Sequence, residues 1–205
     1  MVPGADGLRL HVLEWSADGT PLVLLHGFGN DAHVWDDLAP GLAPYYRTLA
    51  VDLRGHGDSD RDPERRYDYA SHVRDLEALT RALGIGRLVL VGHSFGGRVA
   101  MLFAGAHAER MAGLVVVDAG PELDARGTTR IVLDVQQKRE RDLSFASTSE
   151  YERVLAEAYP AARPEAIARL ARHGLRRRPD GRLEPKTDPG FYAARSASVS
   201  VPRAA

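Results

Sequence analysis

The feature that most constrains this chain is a series of short, unbroken apolar runs set between helical periods. Pro21 to Leu25, Thr48 to Val51, Leu88 to Val91 and Leu114 to Val117 contain no polar/apolar alternation, as expected of strands buried on both faces. Between them, Trp35, Leu38 and Leu42 recur at spacings of three and four, as do Val73, Leu76, Leu79 and Leu83. The segment from Arg98 to Arg110 is also helical in pattern. Strand and helix therefore alternate, which predicts an α/β fold: an open, mostly parallel sheet with helices on both faces and its chemistry in the loops after the strands. A half-buried strand opens the chain, where Leu8, Leu10 and Val12 alternate with more polar neighbours before the Asp18-Gly19 turn.

A length of 205 residues suits one sizeable core. Beyond Asp118 the pattern becomes helical, near Arg130 to Arg141, Tyr151 to Ala158 and Glu165 to His173, with no further strand-like apolar run. The chain thus divides into a strand-bearing part, 1–120, and a helical part, 121–205. The Arg176 to Arg178 cluster beside Pro179-Asp180-Gly181 reads as a solvated helix end and turn. A formal net charge of -1 provides no field to attract nucleic acid or an anionic membrane, so neither is an expected partner. The absence of cysteine removes disulfides, thiolate catalysis and thiolate-held metal. No apolar run is long enough to span a bilayer and the first residues lack a secretory pattern, so a cytoplasmic location is expected.

The strongest chemical signal is Gly92-His93-Ser94-Phe95-Gly96-Gly97, directly after one strand and directly before a helix. It fits Gly-x-Ser-x-Gly, in which glycines permit a sharp strand-to-helix reversal that pushes the serine hydroxyl out of the sheet. The helix start adds N–H groups that favour developing negative charge. A dinucleotide fingerprint would need glycine at Ser94, and a P-loop would need Lys and Ser/Thr at Arg98 and Val99, so phosphate binding does not fit. His26-Gly27-Phe28-Gly29 follows an earlier strand and complements the first motif. Acyl transfer builds charge on a carbonyl oxygen, and the backbone N–H groups of Phe28 and Phe95 are the natural oxyanion-hole donors.

With Asp52-Leu-Arg-Gly-His-Gly-Asp-Ser59, these motifs give the chain a resemblance to the α/β-hydrolase fold family, specifically its cofactor-free serine hydrolases, over residues 8 to 120. The resemblance implies Ser94 as nucleophile, a structural role for the Asp52 loop, no cofactor, and a small-molecule substrate with an ester or related acyl bond. It also implies that the helical part is a lid over Ser94. In the family, the sheet then resumes to deliver an acid and a histidine. Here the chain ends first, so it is expected to lack the last core strands and to be poorly active alone. His107 and His173, the histidines after Ser94, read as surface or capping residues, and His26, His33, His56 and His93 do not occupy the base position. Asp118, at a strand end, is the candidate acid. No His-Glu-x-x-His pair supports a metal site. The alternatives are a non-catalytic binding or regulatory relative, and one piece of a split protein that self-associates or is completed by another chain.

Overall fold

The computed structural model describes residues 1–121 and 143–194, with backbone only for 192–194. Nine strands occur among them. β1 (Val2–Pro3) pairs with β2 (Arg9–Leu10), and β3 (Val12–Glu14), β4 (Thr20–Leu25), β5 (Tyr46–Val51), β6 (Leu88–His93) and β7 (Met111–Val117) form the main sheet. Its order is β3-β5-β4-β6-β7, with every pair parallel except β3 with β5. All four continuous apolar runs are strands of this sheet, but burial on both faces holds for those of β4, β5 and β6 only: in β7, at the edge of the described sheet, Leu114, Val115 and Val117 are exposed. Successive side chains of a strand point to opposite faces, and β4 illustrates the consequence. Val23 and Leu25 pack with Leu49, Val51, Leu90, Leu76, Leu79, Val99 and Phe103 on one face. Leu22 and Leu24 pack with Ala50, Val91, Trp35 and Ala39 on the other.

The helices α1 (Ala39–Leu42), α2 (Tyr69–Ala82) and α3 (Phe95–Ala106) supply these two layers. The period predicted through Trp35 to Leu42 is split into a 3-10 turn, Ala32–Trp35, and the short α1. Pro40 is the reason: it fits the first turn of a new helix but would break the interior of a longer one. α2 starts where the Asp68 carboxylate accepts from the Ser71 N–H.

From β4 the chain moves to one side to form β5, then returns through α2 to form β6 on the other side of β4. The order therefore reverses between β4 and β6. In an open α/β sheet such a switch point leaves a crevice beyond the strand ends, and both sequence motifs lie in the loops that flank it.

The described part of 121–205 adds no strand to the main sheet, and the helical segment near Arg130 to Arg141 lies outside the described residues. Two helices follow the predicted pattern, α4 (Thr148–Ala158) and α5 (Pro164–His173). A small hairpin of β8 (Leu175–Arg177) and β9 (Leu183–Pro185) then corrects the expectation of an all-helical tail. It leaves no apolar run because a polar pair crosses it, Arg176 with Glu184, and Arg182 beside β9 donates to Ser144 in the segment before α4. The arginine cluster thus lies on a strand and its turn. A last helix, α6 (Pro189–Ala194), returns to the core.

Beneath the loop after β5, the fully buried Arg54 is held on several sides. Its Nε and Nη2 donate to the Asp75 carboxylate at 2.6 and 2.8 Å, and Nη1 reaches Asp62 at 3.4 Å and Asp6 at 3.1 Å. Asp75 is itself buried, so removing the guanidinium would leave its carboxylate without a charged partner, whereas Asp62 keeps Arg66 at 2.7 and 2.9 Å. Arg54→Met is expected to destabilise the chain by about 3–5 kcal/mol. A shift of this size in urea unfolding checks it, and near-wild-type stability would contradict it.

Candidate active site

Ser94 joins β6 to α3 with φ 50° and ψ -112°, outside the regions that L-residues favour, and its hydroxyl does not cap the helix. Such backbone strain costs on the order of 1–3 kcal/mol and persists only where the surroundings enforce it. Here they do. A methyl group at Gly92 would lie 2.4 Å from the Gly96 carbonyl oxygen. One at Gly96 would lie 2.5 and 2.6 Å from the carbonyl oxygens of His26 and Leu25. Only bare backbone lets the start of α3 press against both β6 and the end of β4. The Ser94 N–H donates to the Val117 carbonyl at 2.9 Å, which ties the turn to the end of β7 as well.

The loop after β4 abuts the same turn. A methyl at Gly27 would meet the His93 ring at 2.7 Å and the Ser94 Cβ at 3.4 Å, so Gly27-Phe28 and Ser94-Phe95 are neighbours. His26 anchors this loop. Its Nε2 accepts from the Leu53 N–H at 3.0 Å, so the proton resides on Nδ1, which lies 2.8 Å from the Gly27 carbonyl oxygen. Complete burial pushes this imidazole below its usual pKa, and it is a neutral tie between two loops.

Asp52 fastens the next loop. Its carboxylate accepts from the N–H groups of Ala32 at 2.6 Å and Asp58 at 2.9 Å, and from His11 Nδ1 at 2.8 Å. Burial opposes the charge, but these donors hold the carboxyl below its ordinary range. His11, Asp52 and Asp58 are close enough to share a metal ion. The positive charge there is already supplied, because Lys186 Nζ lies 2.7 Å from Asp58.

Asp118 follows β7 with φ 51° and is largely exposed, its carboxylate 3.9 Å from His93 Nε2. It lies beside the elbow rather than within hydrogen-bond reach of the neighbouring imidazole. His107 ends α3, thirteen residues beyond Ser94 and hence about 20 Å along the axis, where its Nε2 pairs with Glu77 at 2.8 Å. His173 stacks on His33 with ring centroids 3.6 Å apart, and His33 pairs with Asp36. Among the described residues, none of the eight histidines hydrogen-bonds to the Ser94 hydroxyl. No helix of the described residues is long and apolar enough to cross a membrane.

Two features here escape the sequence reading. Phe191, on α6, is fully buried beside Phe28 and Phe95. Only Pro189, a helix-start residue, hints at it. Asp31 is the other: it caps the 3-10 turn by accepting from the His33 N–H at 2.9 Å, and it is buried near Asp52.

The fold and this strand-turn-helix junction define a hydrolase architecture, and the comparisons agree. The alpha/beta hydrolase fold model matches residues 20–180, and the chain belongs to that family. It is 40% identical to epoxide hydrolase 3 of Xenopus tropicalis over 117 residues, 56% of this chain and 32% of that protein. It is 31% identical to 2-(acetamidomethylene)succinate hydrolase of Mesorhizobium japonicum over 180 residues, 87% of this chain and 62% of that protein. The crystal structure of an alpha/beta hydrolase from Novosphingobium aromaticivorans superposes with a TM-score of 0.85 at 32% identity, covering 98% of this chain and 72% of the other. The chain spans between about a third and three fifths of these two curated relatives.

Burial, with repulsion from Asp52, pushes the Asp31 carboxyl up to about 6 from an ordinary 3.8. The folded chain therefore binds this proton more tightly than the unfolded one. The resulting stabilisation is complete below pH 3.8 and lost as pH rises through 6. Asn caps as well as Asp, so Asp31→Asn is expected to stabilise the chain above pH 6, by at most about 3 kcal/mol. The gain should vanish near pH 4. Urea unfolding of both proteins at pH 4 and pH 8 checks this, and a pH-independent difference would contradict it.

Proposed function

We propose that this chain carries the nucleophile and oxyanion half of a serine hydrolase acting on a small ester or related acyl bond. Ser94 Oγ attacks the carbonyl carbon while its proton passes to a general base. The carbonyl oxygen becomes an oxyanion held by the Phe28 and Phe95 N–H groups. Collapse of the tetrahedral species expels the alcohol or amine and leaves an acyl-serine, which water then hydrolyses.

The observation that carries this reading is the positive φ of Ser94 on a glycine-packed turn that touches the Gly27-Phe28 loop. A residue held in a strained conformation at the carboxyl end of a parallel strand is placed for chemistry rather than for folding economy. The names of the relatives support hydrolysis in general. The acyl preference rests on serine at the elbow and on the likeness to 2-(acetamidomethylene)succinate hydrolase, whose match extends through most of this chain.

His107 is remote from Ser94 and His173 is stacked on His33, so neither is the base in this reading. Turnover of 4-nitrophenyl acetate by the 205-residue chain is expected to be weak but dependent on Ser94. An oxyanion hole and binding without a complete triad leave roughly 10³ to 10⁴-fold acceleration over water. Ser94→Ala should remove the excess, whereas His107→Ala and His173→Ala should leave it unchanged. Turnover indifferent to Ser94→Ala would overturn the proposal.

A further inference from the structure

The last described segment threads an aromatic side chain beneath the site, and the two proposed oxyanion donors meet it from different loops. The Phe191 ring centroid lies 5.2 Å from that of Phe28, which follows β4, and 5.5 Å from that of Phe95, which opens α3. It also lies 4.7 Å from His56 and 4.8 Å from Tyr67, and no part of it reaches solvent. The edge-to-face geometry against Phe95 and His56, at 80° and 74°, ties the position of each ring to that of its neighbour.

The segment holding Phe191 is fastened to the loop after β5. The Asp188 N–H donates to the Gly55 carbonyl at 2.7 Å, and the Tyr67 hydroxyl donates to the Asp188 carboxylate at 2.5 Å. The Arg61 guanidinium donates to the Lys186 carbonyl at 3.1 Å, and Lys186 reaches Asp58 at 2.7 Å. The Asp188 carboxylate also accepts from the Gly190 N–H at 2.7 Å, fixing the entry to α6. Phe191 is thus a rigid wedge on a tethered strap.

Resting on the serine-hydrolase reading above, we propose that Phe191 is a positioning residue that sets the spacing of the Phe28 and Phe95 amides. The ring contacts those residues through their side chains, and each side chain is bonded to the backbone whose N–H is to face the oxyanion. Removing the wedge frees both backbones to drift. Misplacement by about 1 Å costs up to about 10²-fold in rate, and the loss falls on the transition state rather than on substrate binding.

The test uses the 205-residue chain and its Phe191→Leu and Phe191→Ala variants. It measures acylation of Ser94 by 4-nitrophenyl acetate, affinity for phenylboronic acid as a tetrahedral mimic, and hydrogen exchange at the Phe28 and Phe95 amides. Phe191→Leu keeps most of the volume, so it decides the matter if Phe191→Ala fails to fold. The expected result is acylation slowed about 10- to 100-fold with KM unchanged, boronate affinity weakened in parallel, and both amides exchanging faster than the rest of the core. Wild-type acylation in a folded variant, or a raised KM with unchanged kcat, would overturn the proposal. If acylation in the wild type does not depend on Ser94, the serine-hydrolase reading fails. The positioning of the two amides is then judged by exchange alone, and unaltered exchange in Phe191→Leu overturns it.

Discussion

The structure depends on backbone meeting backbone where α3 begins. Gly96 lies against the carbonyl oxygens of Leu25 and His26, and Gly92 against the carbonyl of Gly96, at distances that leave no room for a single methyl. This contact forces the chain to reverse within one residue, and that residue is Ser94, which bears the strain as a positive φ. It also welds the loops after β4 and β6 together at the point where the strand order reverses. The crevice that such a switch point leaves open is therefore lined by both loops. The strain at Ser94 and the meeting of the two loops are consequences of one steric requirement.

The surrounding polar residues make that contact rigid. His26 bridges the β4 and β5 loops through both ring nitrogens, and Asp52 draws in Ala32, Asp58 and His11. Arg54 joins the same loop to α2 through Asp75. Charged and polar groups buried this deeply stabilise a fold only when they are fully paired, and their number here keeps the loops from relaxing away from the strained turn. The Asp52 to Ser59 motif therefore serves the site without taking part in the chemistry proposed for it. Tyr67 and Asp188 extend the same scaffold to the strap that carries Phe191.

The sheet was legible in the sequence because burial on both faces leaves a chemical trace: runs such as Leu88 to Val91 have no polar residue to place, although Leu114 to Val117 carries the same trace on an edge strand whose side chains are largely exposed among the described residues. The elbow was legible because only glycine tolerates the approach at positions 92 and 96. Less was readable where side-chain pairing rather than hydrophobicity decides the structure. The β8-β9 hairpin is written in Arg176 and Glu184, residues that also suit a solvated helix end. The break before α1 is written in Pro40 but masked by the helical spacing of its neighbours. Phe191 was invisible for a different reason. A lone aromatic carries no period, and its partners at Phe28, Tyr67 and Phe95 are separated from it by more than ninety residues of chain.

The reading proposed for this turn is that it presents one particular hydroxyl, Ser94, beside the Phe28 and Phe95 amides. Prolonged exposure of the folded chain to a fluorophosphonate, followed by intact mass and peptide mapping, reads this out, because attack by the hydroxyl expels fluoride and leaves a tetrahedral phosphonyl group whose oxygen the two amides would hold even where labelling is slow for want of a base. The expected result is a single phosphonyl group per chain, carried by Ser94 and absent from the Ser94→Ala variant. An adduct on another residue, or a folded chain that takes none, would contradict it.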